Sequence, residues 1–154
     1  MPISHLVFRT ATLADLPAII ALLADDALGR AREVLADPPD PRYIAAFDAI
    51  CADANQRLVV AELHGQVVGT LQLSFVPGLA HTGAWQGQIE SVRIAAELRG
   101  VGAGQQMLEW AVAQCRAQGC TAVQLTTDKS RADAQRFYEK LGFAPSHLGF
   151  KRKL

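Results

Sequence analysis

The sequence predicts an α/β fold, in which helices cover the faces of a mixed β-sheet. The chain has 154 residues, 50% of them hydrophobic, which is enough for one domain with a substantial core. Its apolar residues alternate with polar ones in some segments, as in strands, and recur at helical spacing in others. The predicted order is strand, two helices, three strands, helix, strand, helix and strand. This order combines antiparallel neighbours with strand–helix–strand crossovers and therefore predicts a mixed sheet.

The N-terminal third is predicted to hold one strand and two helices. Alternation over 5–9 predicts the first strand. A helix follows, because apolar side chains recur at i, i+3, i+4 and i+7. These side chains are Leu16, Ile19, Ile20 and Leu23. Pro17 is best tolerated in a first helical turn, which favours Asp15 as the N-cap. The proline-rich segment 36–42 separates this helix from a second one over 43–52.

Three strands with antiparallel character are predicted in the middle of the chain. The runs 57–63 and 66–76 are rich in β-forming residues and flank His64-Gly65, which is typical of a tight hairpin turn. A loop over 77–83 leads to a third run over 84–94. Because each strand follows the one before it after a short connection, we expect all three to be neighbours in the sheet.

The C-terminal part is predicted to form a strand, a helix and a last strand. The run 120–127 predicts a strand. In the helix after it, Ser130 and Asp133 have capping-box spacing, and Gly142 is placed to end the helix in a left-handed conformation. Residues 146–154 predict a last strand, which mixes apolar and basic positions as an edge strand does.

Charge and cysteine content exclude several classes of protein. Lys and Arg total 15, as do Asp and Glu, and a neutral chain is not expected to bind nucleic acid. The short basic run 151–153 is interpreted as a solvated tail. The N-terminus lacks signal-peptide features, and no apolar run approaches the roughly 20 residues that span a bilayer. Three cysteines without a CxxC pair and four scattered histidines indicate a reduced, cytoplasmic protein without a metal site.

Three glycines at alternate positions lie at the start of a helix predicted over 102–118. Gly100, Gly102 and Gly104 need a reason, because glycine in a helix costs roughly 0.5–1 kcal/mol relative to alanine. A strand end, a glycine-rich turn and the free N–H groups of a helix start form an anion site, to which Arg99 adds a charge-assisted contact. A tight turn required only for packing is the alternative. The spacing fits neither the Walker pattern nor the dinucleotide fingerprint.

The segment Arg99–Gly104 resembles the acetyl-CoA signature [QR]xxGxG of the GNAT superfamily of N-acetyltransferases. The preceding strand and the later "AQRFYEKLGF" resemble the context of this motif in that superfamily. The longer stretch "DAQRFYEKLGFAPSH" is similar to the branch that contains aminoalkylphosphonate and other small-amine acetyltransferases. The resemblance covers almost the whole chain and implies a single domain over 1–154. It also implies a sheet of about six to seven strands, a splay between the fourth and fifth strands, and acetyl-CoA as the donor.

The resemblance also implies which residues bind coenzyme A. The main chain of Val92 and Ile94 would bond the pantetheine amides as an added strand does. The amides of 101–104 would hold the pyrophosphate, and Tyr138 would reach the sulfur. Many members have Asn at the position of Arg131, so this arginine either meets a CoA phosphate or faces solvent. The full predicted set is Val92, Arg93, Ile94, Arg99, Gly100, Val101, Gly102, Ala103, Gly104, Thr126, Arg131 and Tyr138.

Acetyl transfer to an amine requires an acid for the leaving thiolate and a route for the amine proton. Tyr138 is the predicted acid; a tyrosine at the core edge with its hydroxyl merely satisfied is the alternative. Glu90 is the predicted base, because strict alternation puts this carboxylate on the same strand face as Val92 and Ile94, where an apolar residue is expected. Such a position indicates a cleft or a bulge. A structural glutamate in an ion pair, with water relaying the proton, is the alternative.

The acceptor is expected to lie near the first two helices and the loop after the third strand. Asp25 or Asp26 would bind an ammonium group and Arg30 an acidic group, although a solvated helix shows the same charges. The predicted acceptor residues are Asp25, Asp26, Arg30, Gln72, Ser74, His81 and Trp85. The predicted function is acetyl transfer from acetyl-CoA to a primary amine of a small molecule. A CoA-binding sensor without catalysis and a protein acetyltransferase are the alternatives, and a homodimer is expected.

Overall fold

A computed structural model describes residues 3–154. Residues 1 and 2, the start of the N-terminus in which no signal peptide is predicted, lie outside the described residues. Five strands form one sheet in the order β1-β2-β3-β4-β5. They are β1 (Val7–Thr10), β2 (Gln56–Leu63), β3 (Gln66–Pro77), β4 (Trp85–Ile94) and β5 (Cys120–Leu125). β1 to β4 are antiparallel neighbours and β5 is parallel to β4, so the predicted mixed sheet is confirmed.

Six α-helices occur among the described residues. They are α1 (Leu16–Ala24), α2 (Ala27–Arg32), α3 (Pro41–Ala52), α4 (Ala80–Gly83), α5 (Ala103–Ala117) and α6 (Ala132–Lys140). Asp15 is the N-cap of α1, as Pro17 in the first turn predicts. α2 comes from the charged segment after α1 and was not predicted as a separate helix. Its start is fixed by Asp26, which accepts a hydrogen bond from the Gly29 N–H.

The helices lie on both faces of the sheet, as predicted. On one face, α1 and α3 pack on β2 around Ile19, Ile20, Phe47 and Val60. On the other face, α5 buries its apolar stripe against β3 and β4, and α6 contributes half-buried aromatic residues. The buried residues of α5 are Ala103, Met107, Leu108, Ala111 and Cys115. Two layers of helices therefore hold β4 and its neighbours between them.

Of three predictions about turns and helix ends, two are confirmed and one is wrong. His64 and Gly65 both adopt left-handed φ values, 51° and 78°, in the predicted hairpin between β2 and β3. The capping box predicted for Ser130 and Asp133 is wrong. Ser130 instead donates from its N–H and its hydroxyl to Asp128, and Arg131 is the N-cap of α6. Gly142 has the predicted left-handed φ, at 89°.

The predicted sixth strand is also absent from the described residues. The segment 146–154 has no regular structure, so the sheet has five strands rather than six to seven. A strand needs a neighbour for its N–H and C=O groups, and within 3–154 this segment joins no ladder. Its apolar side chains are exposed; Phe150 is 92% accessible. No helix in residues 3–154 has the length and apolar character needed to cross a membrane.

Candidate active site

The fourth and fifth strands part at the end of their ladder. β4 pairs with β5 from Trp85 opposite Cys120 to Ile89 opposite Leu125. β5 then stops, whereas β4 continues to Ile94. The main chain of 90–94 therefore has an open edge on the β5 side, and an extended amide-containing ligand can add to such an edge as a strand does. Thr126 directly follows the last paired residue, at the point where the gap opens.

A β-bulge lies at this point of β4. Glu90 is opposite Gln72 and Arg93 is opposite Thr70, so two residues of β4 face the single residue between them on β3. Ser91, in the bulge, has a left-handed φ of 54°. A bulge resets the alternation of side chains along its strand. The sequence is compatible with either a cleft or a bulge at Glu90, and the structure has a bulge.

The bulge corrects the predicted orientation of Glu90. Residues opposite each other in a ladder share a sheet face, and Gln72 lines a cavity beneath α1 and α3. Val92 and Ile94 instead pack against the core on the α5 side. The prediction that Glu90 shares a face with Val92 and Ile94 is therefore wrong, because strict alternation does not hold across residue 91. Glu90 is exposed on the face that carries α1 and α3.

The glycines of the turn before α5 have two different structural roles. Gly100 and Gly102 have left-handed φ values of 78° and 92°, which side chains rarely adopt. Gly104 is needed for close packing, since a Cβ there would lie 3.1 Å from Cζ of Phe137 on α6. Gly102 is the N-cap of α5 and provides no side-chain cap. The first N–H groups of this 15-residue helix are therefore placed to bind an anion.

Arg99 joins this turn to the segment between α1 and α2. Its Nη2 lies 3.1 Å from the carboxylate Oδ2 of Asp25, and its Nε donates to the main-chain oxygen of Ile94 at 3.2 Å. Both Arg99 and Asp25 are about half exposed. An anion that binds at the glycine turn would therefore compete with Asp25 for the guanidinium of Arg99.

Tyr138 lies on α6, close enough to Arg93 of β4 for the two groups to interact electrostatically. Its ring is half-buried and makes edge contacts with Phe137 and Phe143. Burial raises the pKa of the hydroxyl, while the positive charges of Arg93 and Arg131 act in the opposite direction. The hydroxyl is therefore protonated at neutral pH, which is the form that an acid needs.

A cluster of two arginines and one aspartate lies beside Tyr138. Arg131 Nη2 is 2.6 Å from Oδ2 of Asp26, and Arg93 Nε is 3.9 Å from the same oxygen. Burial opposes ionisation of Asp26, but the Gly29 N–H and the two guanidinium groups keep the pKa of this carboxyl below its usual value. Arg131 was expected to meet a CoA phosphate or to face solvent. In this structure Arg131 is paired with Asp26, its side chain is 29% exposed, and its contact with a CoA phosphate stays a prediction.

A row of polar side chains covers the open sheet face around Glu90. Oε1 of Gln56 accepts hydrogen bonds from Gln72 at 3.0 Å and from Ser74 at 2.9 Å. Further along the row, Gln88 donates to Glu90. The structure therefore places Gln72, Ser74 and Glu90 on one surface. Spacing alone gave no indication that Gln88 belongs to this surface.

Two predicted acceptor residues lie elsewhere. Trp85 is the first residue of β4, six residues before Ser91, and a strand rises about 3.3 Å per residue, which puts the two about 20 Å apart. His81 is exposed in α4, just before this strand, with a left-handed φ of 55°. His81 and Trp85 therefore lie far from the gap, and their place in the acceptor pocket stays a prediction. Their loop is joined to the opposite end of β4. Arg30 is exposed on α2.

Comparisons with known proteins agree with this architecture. The model of the acetyltransferase (GNAT) family matches residues 20–143. The aminoalkylphosphonate N-acetyltransferase of Salmonella typhimurium is 32% identical over 155 residues, which cover 100% of this chain and 94% of that protein. An L-methionine sulfoximine/L-methionine sulfone acetyltransferase of Pseudomonas paraeruginosa is 29% identical over 144 residues, which cover 88% of this chain and 78% of that protein. A crystal structure from Bacillus halodurans, described as a transcriptional regulator, has a TM-score of 0.94 at 45% identity, over 97% of this chain and 100% of that one.

Proposed function

This chain belongs to the acetyltransferase (GNAT) family and is an acetyl-CoA-dependent N-acetyltransferase, and from this premise we propose that it acetylates a primary amine of a small molecule. The amine attacks the thioester directly while both substrates are bound. The observation that carries the proposal is the open edge of β4 over 90–94 beside the glycine turn. The Salmonella and Pseudomonas relatives are named for small amine acceptors, which supports the same class here.

The pantetheine arm would add to the open edge through the main chain of Val92 and Ile94. The N–H groups of 101–104 and the guanidinium of Arg99 would hold the pyrophosphate. Arg99 would then exchange its contact with Asp25 for one with the phosphate. These assignments place the thioester in the gap between β4 and β5, because the arm runs from the start of α5 toward the bulge.

The transfer then needs three groups around the thioester. The amine nitrogen attacks the carbonyl carbon, and a main-chain N–H near Val92 stabilises the oxyanion. The C–S bond breaks as the thiolate takes the proton of the Tyr138 hydroxyl. The amine gives up its proton to Glu90 or to water, and the open face on which Glu90 lies admits both routes.

We also propose a cytoplasmic homodimer. β5 is an edge strand of the described sheet, and the segment 146–154 carries Leu148 and Phe150 at 77% and 92% exposure. Exposed apolar side chains and an unpaired sheet edge each favour association with another chain. The three cysteines are free, as suits a reducing compartment.

Thiol release from acetyl-CoA tests the proposed activity. The purified protein would be supplied with acetyl-CoA and separate panels of alkylamines, amino acids, aminophosphonates, polyamines, aminoglycosides and lysine peptides. We expect release that depends on a small amine and matches the acetylated amine one to one by mass spectrometry. Release with peptides alone would identify a protein acetyltransferase, and acetyl-CoA binding with no release would identify a sensor. A net charge of zero does not favour DNA as a partner, although the Bacillus halodurans protein is described as a regulator.

A further inference from the structure

We infer that Arg93 and Arg131 form a binding subsite for an oxyanion, a phosphonate or carboxylate group, that the acceptor amine itself carries. The inference rests on the proposed function and names the class of its acceptor. Arg93, the central residue of this subsite, was predicted to bind coenzyme A.

Arg93 is half-buried, and its buried Nε lacks a hydrogen-bond partner in residues 3–154. Its side chain is 13% exposed. Its Nη1 donates to the main-chain oxygen of Val92 at 2.9 Å. An unsatisfied buried donor costs about 1–3 kcal/mol, and more when the group is charged. Such a cost is expected where a ligand supplies the missing acceptor.

The missing acceptor cannot be Asp26. Its nearest oxygen is 3.9 Å from Arg93 Nε, which is beyond hydrogen-bond range. Asp26 is held in place by the Gly29 N–H at 2.5 Å and by Arg131 at 2.6 Å. Movement toward Arg93 would therefore break the cap of α2 or the ion pair with Arg131.

The cluster also has a surplus of positive charge. Two guanidinium groups share the single carboxylate of Asp26. Arg32 of α2, itself 3.6 Å from the carboxylate of Glu33, is also close enough to disfavour ionisation of Arg93. Guanidinium groups bind carboxylates and phosphate-like groups through paired hydrogen bonds. An oxyanion between Arg93 and Arg131 would satisfy the free Nε and balance the charge.

The position of the cluster favours the acceptor over coenzyme A as the source of this oxyanion. Arg93 lies opposite Thr70, on the sheet face that carries α1 and α3, whereas Val92 and Ile94 pack toward α5. The phosphates of coenzyme A are expected at the glycine turn, where Arg99 lies. Tyr138, the predicted acid, interacts electrostatically with both arginines of the cluster.

Glu90 completes a surface that suits an acceptor with both charges. Glu90 and Arg93 are three residues apart on β4, so their Cα atoms are at most about 10 Å apart. Gln72 and Thr70, their partners on β3, both line the cavity under α1 and α3. A short acceptor can therefore place its amine near Glu90 and its oxyanion at Arg93 and Arg131.

A pair of acceptors of similar size tests the inference. 2-Aminoethylphosphonate carries the oxyanion, and n-propylamine does not. We expect kcat/KM for the phosphonate to exceed that for propylamine at least about 100-fold, because charge-assisted bidentate contacts are strong. Arg93→Gln should lower the phosphonate value about 100-fold, mainly through KM, and lower the propylamine value much less, so that the preference for the phosphonate is largely lost. Arg131→Gln should also lower kcat/KM for the phosphonate. It replaces Arg93→Gln in the test if that variant does not fold.

Arg136→Gln is the matched control, since Arg136 is exposed on α6 and pairs with Asp133. This substitution should leave kcat/KM unchanged for both acceptors. Equal losses for both acceptors in Arg93→Gln and Arg131→Gln would overturn the inference, and weakened acetyl-CoA binding would assign the arginines to a CoA phosphate instead.

Calorimetric titration of the CoA-loaded protein with each amine separates this inference from the proposed function. Binding of aminoethylphosphonate that is lost in Arg93→Gln supports the subsite even if no acetyl transfer occurs. No binding of the phosphonate to the CoA-loaded wild type overturns the subsite even if other amines are acetylated.

Discussion

Ser91 shows how one residue decides the chemistry of the neighbouring positions. Its left-handed φ of 54° creates the bulge and turns Glu90 away from the face of Val92. A non-glycine residue in this conformation is strained and persists where the surrounding structure requires it. The bulge leaves the main chain near Val92 beside the gap, where the proposed oxyanion would form. The strain therefore coincides with the part of β4 proposed to take part in catalysis.

At the same scale, Asp15 is expected to make the protein acid-sensitive. The hydrogen bonds from Arg9, at 2.7 and 2.9 Å, lower the pKa of Asp15 to about 2 despite its burial, and Thr12 adds to this effect. A lowered pKa in the folded state stabilises the fold above the unfolded pKa of about 3.9, and this contribution is lost as the pH falls toward 2. Asp15→Asn should lower the free energy of unfolding at pH 7 by about 1–2 kcal/mol, allowing for solvent screening of Arg9.

Urea unfolding at pH 7, 4 and 2.5 checks this prediction. The wild type should lose more stability than Asp15→Asn between pH 4 and 2.5. Asp133→Asn is the control, because Asp133 is almost fully exposed beside Arg136. Parallel pH curves for the wild type and Asp15→Asn would contradict the assigned role of Asp15.

At the scale of elements, the start of α5 is the proposed phosphate site, and a valine there should impair it. Gly102→Val forces a β-branched residue to a φ of 92° and puts a side chain at the first free N–H groups of the helix. Gly119→Val imposes the same backbone penalty at a φ of 81°, beyond the other end of α5. Both variants should lose about 1–2 kcal/mol of stability.

Calorimetric titration with acetyl-CoA distinguishes the two valine variants. Gly102→Val should bind acetyl-CoA at least about tenfold more weakly than the wild type, whereas Gly119→Val should bind it normally. Equal affinities in the two folded variants would show that the glycines serve the backbone turn alone.

Elements with local signals were predictable from the sequence. The hairpin at His64-Gly65, the apolar stripe of α5 and the stop at Gly142 each depend on residues close in the chain. The capping box at Ser130 failed because Asp128, also local, accepts the Ser130 N–H that the carboxylate of Asp133 would accept in a capping box. Prediction over 146–154 failed because a strand needs a partner, which a single segment cannot specify.

The residues of the candidate site fall into the same two groups, those with local sequence signals and those without. The glycine turn and the position of Tyr138 follow from a contiguous motif. The bulge depends on the pairing of β4 with β3, and the contact between Arg93 and Asp26 joins positions far apart in the sequence. The true location of Trp85 follows from the direction of β4 in the sheet. The alternation of apolar and polar residues alone cannot predict the bulge, the contact between Arg93 and Asp26 or the location of Trp85.

At the scale of the whole molecule, the exposed segment 146–154 leads to a prediction about assembly. Light scattering should give twice the 16.6 kDa of one chain. Phe150→Asp should shift the protein toward the monomer, because it puts a charge into an apolar contact. Leu79→Asp is the control, since Leu79 is 96% exposed in the loop before β4. A wild-type mass of one chain at high concentration would contradict the dimer.

At the scale of the whole molecule, we propose that Tyr138, the bulge and the glycine turn surround one gap, and the kinetics of Tyr138→Phe test acetyl transfer there most directly. The substitution keeps the ring contacts with Phe137 and Phe143 and removes the proton. Positioned acid catalysis is worth on the order of 10²–10⁴-fold, so kcat should fall within or somewhat below that range. Acetyl-CoA affinity and the unfolding midpoint should stay close to wild type. Undiminished kcat in Tyr138→Phe would contradict the proposed mechanism and leave water or the amine's own proton to serve the thiolate.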